Sequence, residues 1–398
     1  NLRTALFEFL IAKHEGGDFL LRIEDTDQER KVEGAVDVIY KTLKECGLNW
    51  DEGPDIGGDF GPYIQSERLP MYKGYAEDLI KLGGAHYCFC SEEEIEAQRK
   101  EAESLGISFK FNDPCKHLSA EEVQAKLDAG EPYVIRQTIK DVGETYFDDE
   151  VYGRIEVDGD VLDEQILIKS DGYPTYNFAN IIDDHQMQIS HVVRGNEYLS
   201  STPKYNLIYD AYGWQRPTYV HVPPVMKDEH HKLSKRNGDA SFQDLVAKGY
   251  LPEAIMNYIA LLGWAPETEQ EIYTLDELIK VFNIHRISKS PAIFDIDKLT
   301  WMNGVYLRNM DEETYYETVR PYLEKAVHGP YNLKEIAKII QPRIDILNQI
   351  EESVDFFDTL VDYDLEMYRH KKMKTTPEVA LKALKASKQA LEAFDQWD

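Results

Sequence analysis

The stretch Ile189-Ser190-His191-Val192-Val193-Arg194-Gly195-Asn196-Glu197-Tyr198-Leu199-Ser200-Ser201-Thr202-Pro203 decides the fold. Its first five residues carry buried-strand character. Thr202 then reads as a helix N-cap and Pro203 as a first-turn residue, opening a helix over 204–212. A second apolar strand follows at 218–222 and leads into the basic segment Lys232-Leu233-Ser234-Lys235-Arg236. Strand, helix, strand is the crossover unit of a parallel sheet, so an α/β fold is expected.

Upstream, Leu2, Ala5, Leu6, Phe9 and Leu10 recur at helical spacing, and His14-Glu15-Gly16-Gly17 supplies a glycine stop. A strand is expected at 19–23 and helices at 29–46 and 70–82. An apolar helix feeding a buried strand ordinarily has a partner strand before it, so the sequence is expected to open inside a strand-helix-strand unit. Over 83–184 short apolar segments such as Tyr133-Val134-Ile135 and Ile166-Leu167-Ile168 alternate with acidic turns, the pattern of a mixed α+β insertion. Beyond residue 239 the chain reads as mostly helical, and Leu391-Glu392-Ala393-Phe394 is still in helical register, as if cut within a domain.

A chain of 398 residues holds two to four domains. Its longest apolar run, 254–264, falls short of the roughly 18 residues that cross a bilayer. Asn1-Leu2-Arg3-Thr4 carries no secretory features, so a cytoplasmic monomer without membrane contact is expected. The 44 Lys and Arg against 73 Asp and Glu give a net charge of -29, which argues against a nucleic-acid partner unless cations are gathered locally. They are gathered at Lys232-Lys235-Arg236 and in Arg369-His370-Lys371-Lys372-Met373-Lys374, although the second run also reads as a solvated surface.

Two lysines and an arginine on the 232–236 loop suit a triphosphate whose charge shifts as pyrophosphate leaves. Alone, the pentapeptide reads first as an exposed basic loop. Arg194 could fork onto a carboxylate in two parallel hydrogen bonds, or could form a structural ion pair. Glu24-Asp25-Thr26-Asp27 bunches three carboxylates without the spaced ligands and glycine turn of a hard-cation loop. Cys88-Phe89-Cys90 and Cys115-Lys116-His117 are different. If both run extended, residues two apart share a side, and Cys88, Cys90, Cys115 and His117 make a tetrahedral zinc set. The plainer alternative is three ordinary thiols and a surface histidine. Cys46, in a helix, reads as core.

The 232–236 loop resembles the lysine loop of class I aminoacyl-tRNA synthetases in the form glutamate enzymes carry. Three further segments, in order, resemble the bacterial glutamyl-tRNA synthetases: Arg22-Ile23-Glu24-Asp25-Thr26-Asp27, Pro174-Thr175-Tyr176-Asn177-Phe178-Ala179-Asn180 and the stretch 193–203. Gly249-Tyr250-Leu251-Pro252-Glu253-Ala254 is a fourth, and the likeness spans essentially the whole chain. The resemblance implies a Rossmann-like parallel sheet (1–82 and 185–245), an inserted acceptor-stem domain with the zinc site (83–184), a stem-contact helical domain (246–310) and a partial all-α anticodon-binding domain (311–398). It implies that ATP with Mg2+ activates L-glutamate for attachment to tRNA(Glu). Glu24 would contact the substrate's amino group, and Tyr176, Asn180 and Arg194 its side chain. Glu197 and Tyr198 would border adenosine, Lys232, Leu233, Ser234, Lys235 and Arg236 would serve ATP, and Lys232 and Lys235 would act in catalysis. The family's opening strand, its Pro-Ser-Pro-Thr-Gly run and its His-x-Gly-His-like motif are not in this sequence, so the chain as written is expected to be impaired in activating glutamate. A catalytically inactive or regulatory tRNA-binding relative and a glutaminyl-tRNA synthetase are the alternatives, the latter disfavoured by the helical character after residue 320.

Overall fold

The computed structural model describes residues 2–26, 34–140, 143–233, 241–358 and 362–394. They form two compact units, Asn1–Asn303 and Gly304–Asp398.

In the first unit, helix α1 (Leu2–His14) ends as its sequence requires, with Gly16 in the left-handed region at φ 70°. The segment after it is not a strand ladder. Leu21 N–H donates to the Glu52 carbonyl (2.9 Å), whereas Ile23 N–H donates to the Tyr63 carbonyl (2.8 Å). Residues 19–23 thus change partners half-way, and only isolated parallel bridges form. Helix α2 (Ala35–Glu45) lies within the expected 29–46, of which 29–33 fall outside the described residues, and α3 is Leu69–Lys81. Cys46, at the end of α2, is buried.

Strand β1 (Ala85–Cys88) is followed by α4 (Glu92–Leu105) and α5 (Ala120–Asp128), each opened by a Ser-Glu capping box. Next come β2 (Val134–Gln137), the hairpin β3 (Glu144–Asp149) and β4 (Gly153–Asp158), and β5 (Ile166–Ile168). Helix α6 (Tyr176–Gln186), β6 (His191–Gly195), α7 (Thr202–Tyr212) and β7 (Thr218–Val222) complete the region that the opening stretch announces.

Strands β1, β2 and β5 make an antiparallel sheet. The second sheet runs β4-β3-β7-β6, with β7 parallel to both β6 and β3. Residues from α3, β1, β2, β5, α6 and α7 share one core, in which Tyr72, Leu79, Ile135, Leu167, Phe178 and Ile182 are fully shielded. That core therefore runs through residues 82–85 and on through α6. Thr202 is not the cap of α7. Ser201 occupies that position without a side-chain bond, and the Thr202 hydroxyl donates instead to the Tyr198 carbonyl at 2.8 Å.

Strand β8 (Val225–Met226) pairs in parallel with β9 (Ala292–Ile293). Between them lie α8 (Phe242–Ala247), α9 (Pro252–Leu261) and α10 (Leu275–Val281). Helix α1 packs on β6, α9 and α10. Helix α11 is Ile296–Asn309.

The second unit is helical, with α12 (Glu312–Ala326), α13 (Leu333–Ile340), α14 (Gln349–Val354) and α15 (Pro377–Glu392). Tyr315, Val319, Leu323, Ile336, Ile340 and Ile350 form its core. The basic run lies on a turn closed by a bridge between His370 and Thr375.

Candidate active site

The parallel strands β6 and β7 border a cleft of about 1580 Å³, lined by Glu24, Tyr176, Asn180, Arg194, Gly195, Glu197, Tyr198, Val222, Lys232 and Leu233. Space beyond the carboxyl ends of parallel strands is where open α/β sheets bind ligands. Glu24 follows the bridge that ties Ile23 to Ile64. Tyr176 and Asn180, four residues apart on α6, share one helix face. Arg194 is the penultimate residue of β6, and Glu197 and Tyr198 sit on the 3-10 turn leading to α7. Lys232 bridges Met226, and Leu233 N–H donates to the Val225 carbonyl at 3.0 Å. Ser234, Lys235 and Arg236, like Asp27, lie outside the described residues.

The cleft holds an acidic corner. Arg22 reaches Glu24 at 3.0 Å and Asp184 at 2.9 Å, and these carboxylates hold its guanidinium above the usual arginine range against the cost of burial. Burial raises Glu24 despite Arg22, and raises Asp184 likewise. Glu8, on α1, is pushed up to about 7 by burial and then by Asp184. Several carboxyls served by one arginine make a site that prefers a further cation, such as an ammonium group. Asn180 is buried, and its Oδ1 has no hydrogen-bond partner among the described residues, which leaves an acceptor beside the same space.

Arg194 differs from three other arginines of the first unit's interior, while Arg3, also buried, is taken up by the carbonyls of Leu262 and Pro223. Arg22, Arg68 and Arg136 each meet a carboxylate. Among the described residues Arg194 meets none. Its Nε donates to His221 Nε2 at 3.1 Å and its Nη2 to Thr202 Oγ1 at 2.7 Å, and its Cζ lies 4.9–5.4 Å from the rings of Tyr198, Tyr205 and Tyr219. The positive charge is therefore desolvated and held without being neutralised, which suits a carboxylate ligand.

A second constellation lies at the end of β1. Cys88, Cys90, Cys115 and Asp113 bring one ligand atom each within 4.8 Å of one another. The Cys90 and Cys115 sulfurs are 3.7 Å apart, close to the roughly 3.8 Å edge of a tetrahedron with 2.3 Å zinc–sulfur bonds. The Phe89 N–H points at Cys115 Sγ, 3.3 Å away. Burial raises the Cys88 thiol to about 11, with Asp113 adding to it, and burial also raises Cys90.

His117 is not in this group. It is exposed, because residues 114–117 form a 3-10 turn rather than an extended segment. At roughly 120° per residue, a position two beyond Cys115 points to a different side. Asp113, the cap of that turn, takes the place expected for His117. It accepts from the Cys115 N–H at 2.8 Å and faces His86 Nε2 at 3.0 Å and Arg136 Nε at 3.4 Å.

Residues 1–301 match the family model of class I tRNA synthetases (E and Q), catalytic domain, and residues 314–398 match an anticodon binding domain. A glutamate-tRNA ligase of Clostridium botulinum strain Hall is 58% identical over 397 residues, covering 100% of this chain and 82% of the relative. One from Clostridium acetobutylicum is 57% identical over 399 residues, with the same coverage. The chain belongs to the class I glutamate-tRNA ligases.

A crystal structure of the glutamate-tRNA ligase of Elizabethkingia meningosepticum in complex with its amino acid superposes with a TM-score of 0.90 at 34% identity, covering 99% of this chain and 83% of that one. The ligase of Elizabethkingia anophelis gives 0.85 at 36% identity, covering 91% of this chain and 79% of that one. The ligase fold gathers residues that sequence reasoning did not single out. Asp149 and His221 stand behind Arg194, Asp183 stands behind Arg22, and Glu8 faces the cleft from α1. Their one sequence signal is a polar residue in an apolar strand or helix, as with His221 in β7.

Proposed function

We propose that the chain's cleft binds L-glutamate between Glu24 and Arg194 and activates it with ATP for attachment to tRNA(Glu). The observation that carries this is the buried guanidinium of Arg194, which meets no carboxylate among the described residues, in the cleft that also holds the acidic corner and Lys232. Arg194 recognises the side-chain carboxylate, which glutamine cannot replace because its amide would set a donor against a donor. Glu24 takes the ammonium, and Tyr176 and Asn180 close on the side chain. Glu197 and Tyr198 border adenosine. Lys232 and Leu233, with Ser234, Lys235 and Arg236 assigned from sequence alone, face the triphosphate and its Mg2+.

The glutamate α-carboxylate attacks the α-phosphorus in line, the bond to the bridging oxygen breaks, and pyrophosphate leaves with its electron pair. The terminal ribose hydroxyl of tRNA then takes the acyl group and AMP departs. Position and charge carry the rate, with no protein nucleophile. The proposed functional regions divide at 82, 184, 245 and 310, with 83–184 facing the acceptor stem, 246–310 contacting the tRNA stem and 311–398 the anticodon. A zinc ion held by the three thiols and Asp113 would tie the end of β1 to the 114–117 turn, a structural duty. No helix among the described residues is long and apolar enough to cross a membrane. A cytoplasmic monomer is part of the proposal.

The test is glutamate-dependent pyrophosphate exchange by the gene's full product, followed by charging of tRNA(Glu). Equal exchange with glutamine would remove Arg194 from its role.

A further inference from the structure

The register of the second sheet sets Arg194 of β6 directly beside His221 of β7, and Asp149 of β3 beside Tyr219. Three consecutive strands therefore bring a carboxylate, an imidazole and a guanidinium into one line. All three side chains are buried, at 4%, 0% and 8% exposure.

Proton accounting fixes the direction of this line. The Arg194 Nε has only a hydrogen to offer, so His221 Nε2, 3.1 Å away, must present its lone pair. The imidazole hydrogen then sits on Nδ1 and is donated to Asp149 Oδ2 at 2.6 Å. Asp149 cannot turn away. The same oxygen accepts the His221 N–H at 3.0 Å, while Oδ1 accepts the N–H groups of Val151 (2.9 Å) and Tyr152 (2.8 Å). Burial holds His221 below the ordinary histidine range, in keeping with a neutral ring. Thr202 has one proton, which goes to the Tyr198 carbonyl, leaving a lone pair for Arg194 Nη2; its hydroxyl also lies 3.2 Å from His221 Nε2.

The arrangement spends one edge of the guanidinium and spares another. Nε and one hydrogen of Nη2 are engaged by two neutral acceptors. The Nη1–Nη2 edge keeps its parallel pair of N–H groups, and Nη1 has no hydrogen-bond partner among the described residues. A carboxylate at the position of His221 would hold the ring of contacts equally well but would neutralise the charge before substrate arrived. The imidazole keeps Asp149 one group removed.

We propose that His221 is a specificity-positioning residue: its Nε2 lone pair holds Arg194 at the angle that presents the Nη1–Nη2 fork to the substrate's side-chain carboxylate, and Asp149 locks the tautomer that makes this possible. The inference rests on the reading of Arg194 as the carboxylate receptor. Thr202 steadies the second nitrogen.

The experiment is pyrophosphate exchange on the gene's full product with His221→Leu, His221→Gln, Asp149→Asn and Arg194→Gln, measuring KM separately for glutamate and for ATP. His221→Leu removes the acceptor, and a lost hydrogen bond to a charged group corresponds to a rise in glutamate KM of about 10- to 100-fold. The ATP KM is expected to stay within about twofold of wild type. His221→Gln can return a carbonyl oxygen near the Nε2 position and should recover most of the loss.

Should His221→Leu fail to fold, Asp149→Asn decides the matter. Its amide would donate to Nδ1, move the imidazole hydrogen to Nε2 and set it against the Arg194 N–H, raising glutamate KM by about tenfold or more. Glutamate KM unchanged in both His221→Leu and Asp149→Asn, with Arg194→Gln impaired, overturns the positioning role alone. Glutamate KM unchanged in Arg194→Gln overturns the reading beneath it.

Discussion

Replacing Asp183 by Ala removes the acceptor on which the wall behind the acidic corner is built. Asp183 is fully buried on α6. It accepts from Arg68 Nε at 2.7 Å, from the Tyr72 hydroxyl at 2.8 Å and from Gln65 Nε2 at 2.9 Å, and lies 3.8 Å from Arg22 Nε. Arg68, with its side chain 4% exposed, would lose its carboxylate and keep, among the described residues, the carbonyls of Phe60 and Pro62 and the sulfur of Met71. Removing one partner of a buried ion pair costs about 3–5 kcal/mol.

The unit concerned runs over 303 residues, so an unfolding entropy of about 2.1 cal/mol/K per residue gives about 0.6 kcal/mol per degree, and the expected fall in Tm is about 5–8 °C. Asp183→Asn keeps the shape and one acceptor and should fall by about half as much. Because Arg22 spans Asp183 and Glu24, Asp183→Ala should also raise glutamate KM more than ATP KM. Thermal melts followed by circular dichroism, beside exchange kinetics, make the measurement. A shift of less than about 1 °C would show that water or rearrangement satisfies these donors, and the reasoning would fail.

Three other outcomes are expected. Glu8, pushed up to about 7 by burial and Asp184, keeps its proton in the folded state where the unfolded chain ionises near 4.5, so its stabilising share is full below about 4.5 and lost as pH rises through 7. Glu8→Gln should therefore gain Tm over the wild type from pH 5 to pH 8, by the equivalent of about 1–3 kcal/mol, and a difference independent of pH would refute the assignment. Purified protein should carry zinc near one equivalent, with Cys90→Ser and Asp113→Ala losing most of it and His117→Ala retaining it; metal loss confined to His117→Ala would restore the extended geometry of 115–117. Lys235→Ala should slow pyrophosphate exchange by about 100-fold or more while tRNA affinity holds within about threefold, and unchanged exchange would remove Lys235 from the triphosphate.

Much of the site was legible because its signals are local. Arg194 stands at the end of an apolar run followed by Thr202-Pro203, and the helix-strand alternation around it reads directly from periodicity. The same local logic failed where distant chain segments set the geometry. Residues 19–23 look like a strand, yet they divide their hydrogen bonds between Glu52 and Tyr63. Thr202 looks like a cap, yet its hydroxyl is drawn into the Arg194 network.

The sequence by itself determined the chemical parts: a guanidinium at the end of a strand, a carboxylate at Glu24, a cationic loop from Lys232, and three cysteines at 88, 90 and 115. Residue type and short-range spacing are enough for those, since strand and helix periods are local properties of the backbone. Only the tertiary structure decided which neutral group stands behind Arg194 and which fourth side chain faces the thiols. Asp149 and His221 are 72 residues apart and meet through strand register, and Asp113 displaces His117 because a 3-10 turn replaces an extended one. Register and turn type are settled by the packing of the whole core, so no window of sequence around either site contains them.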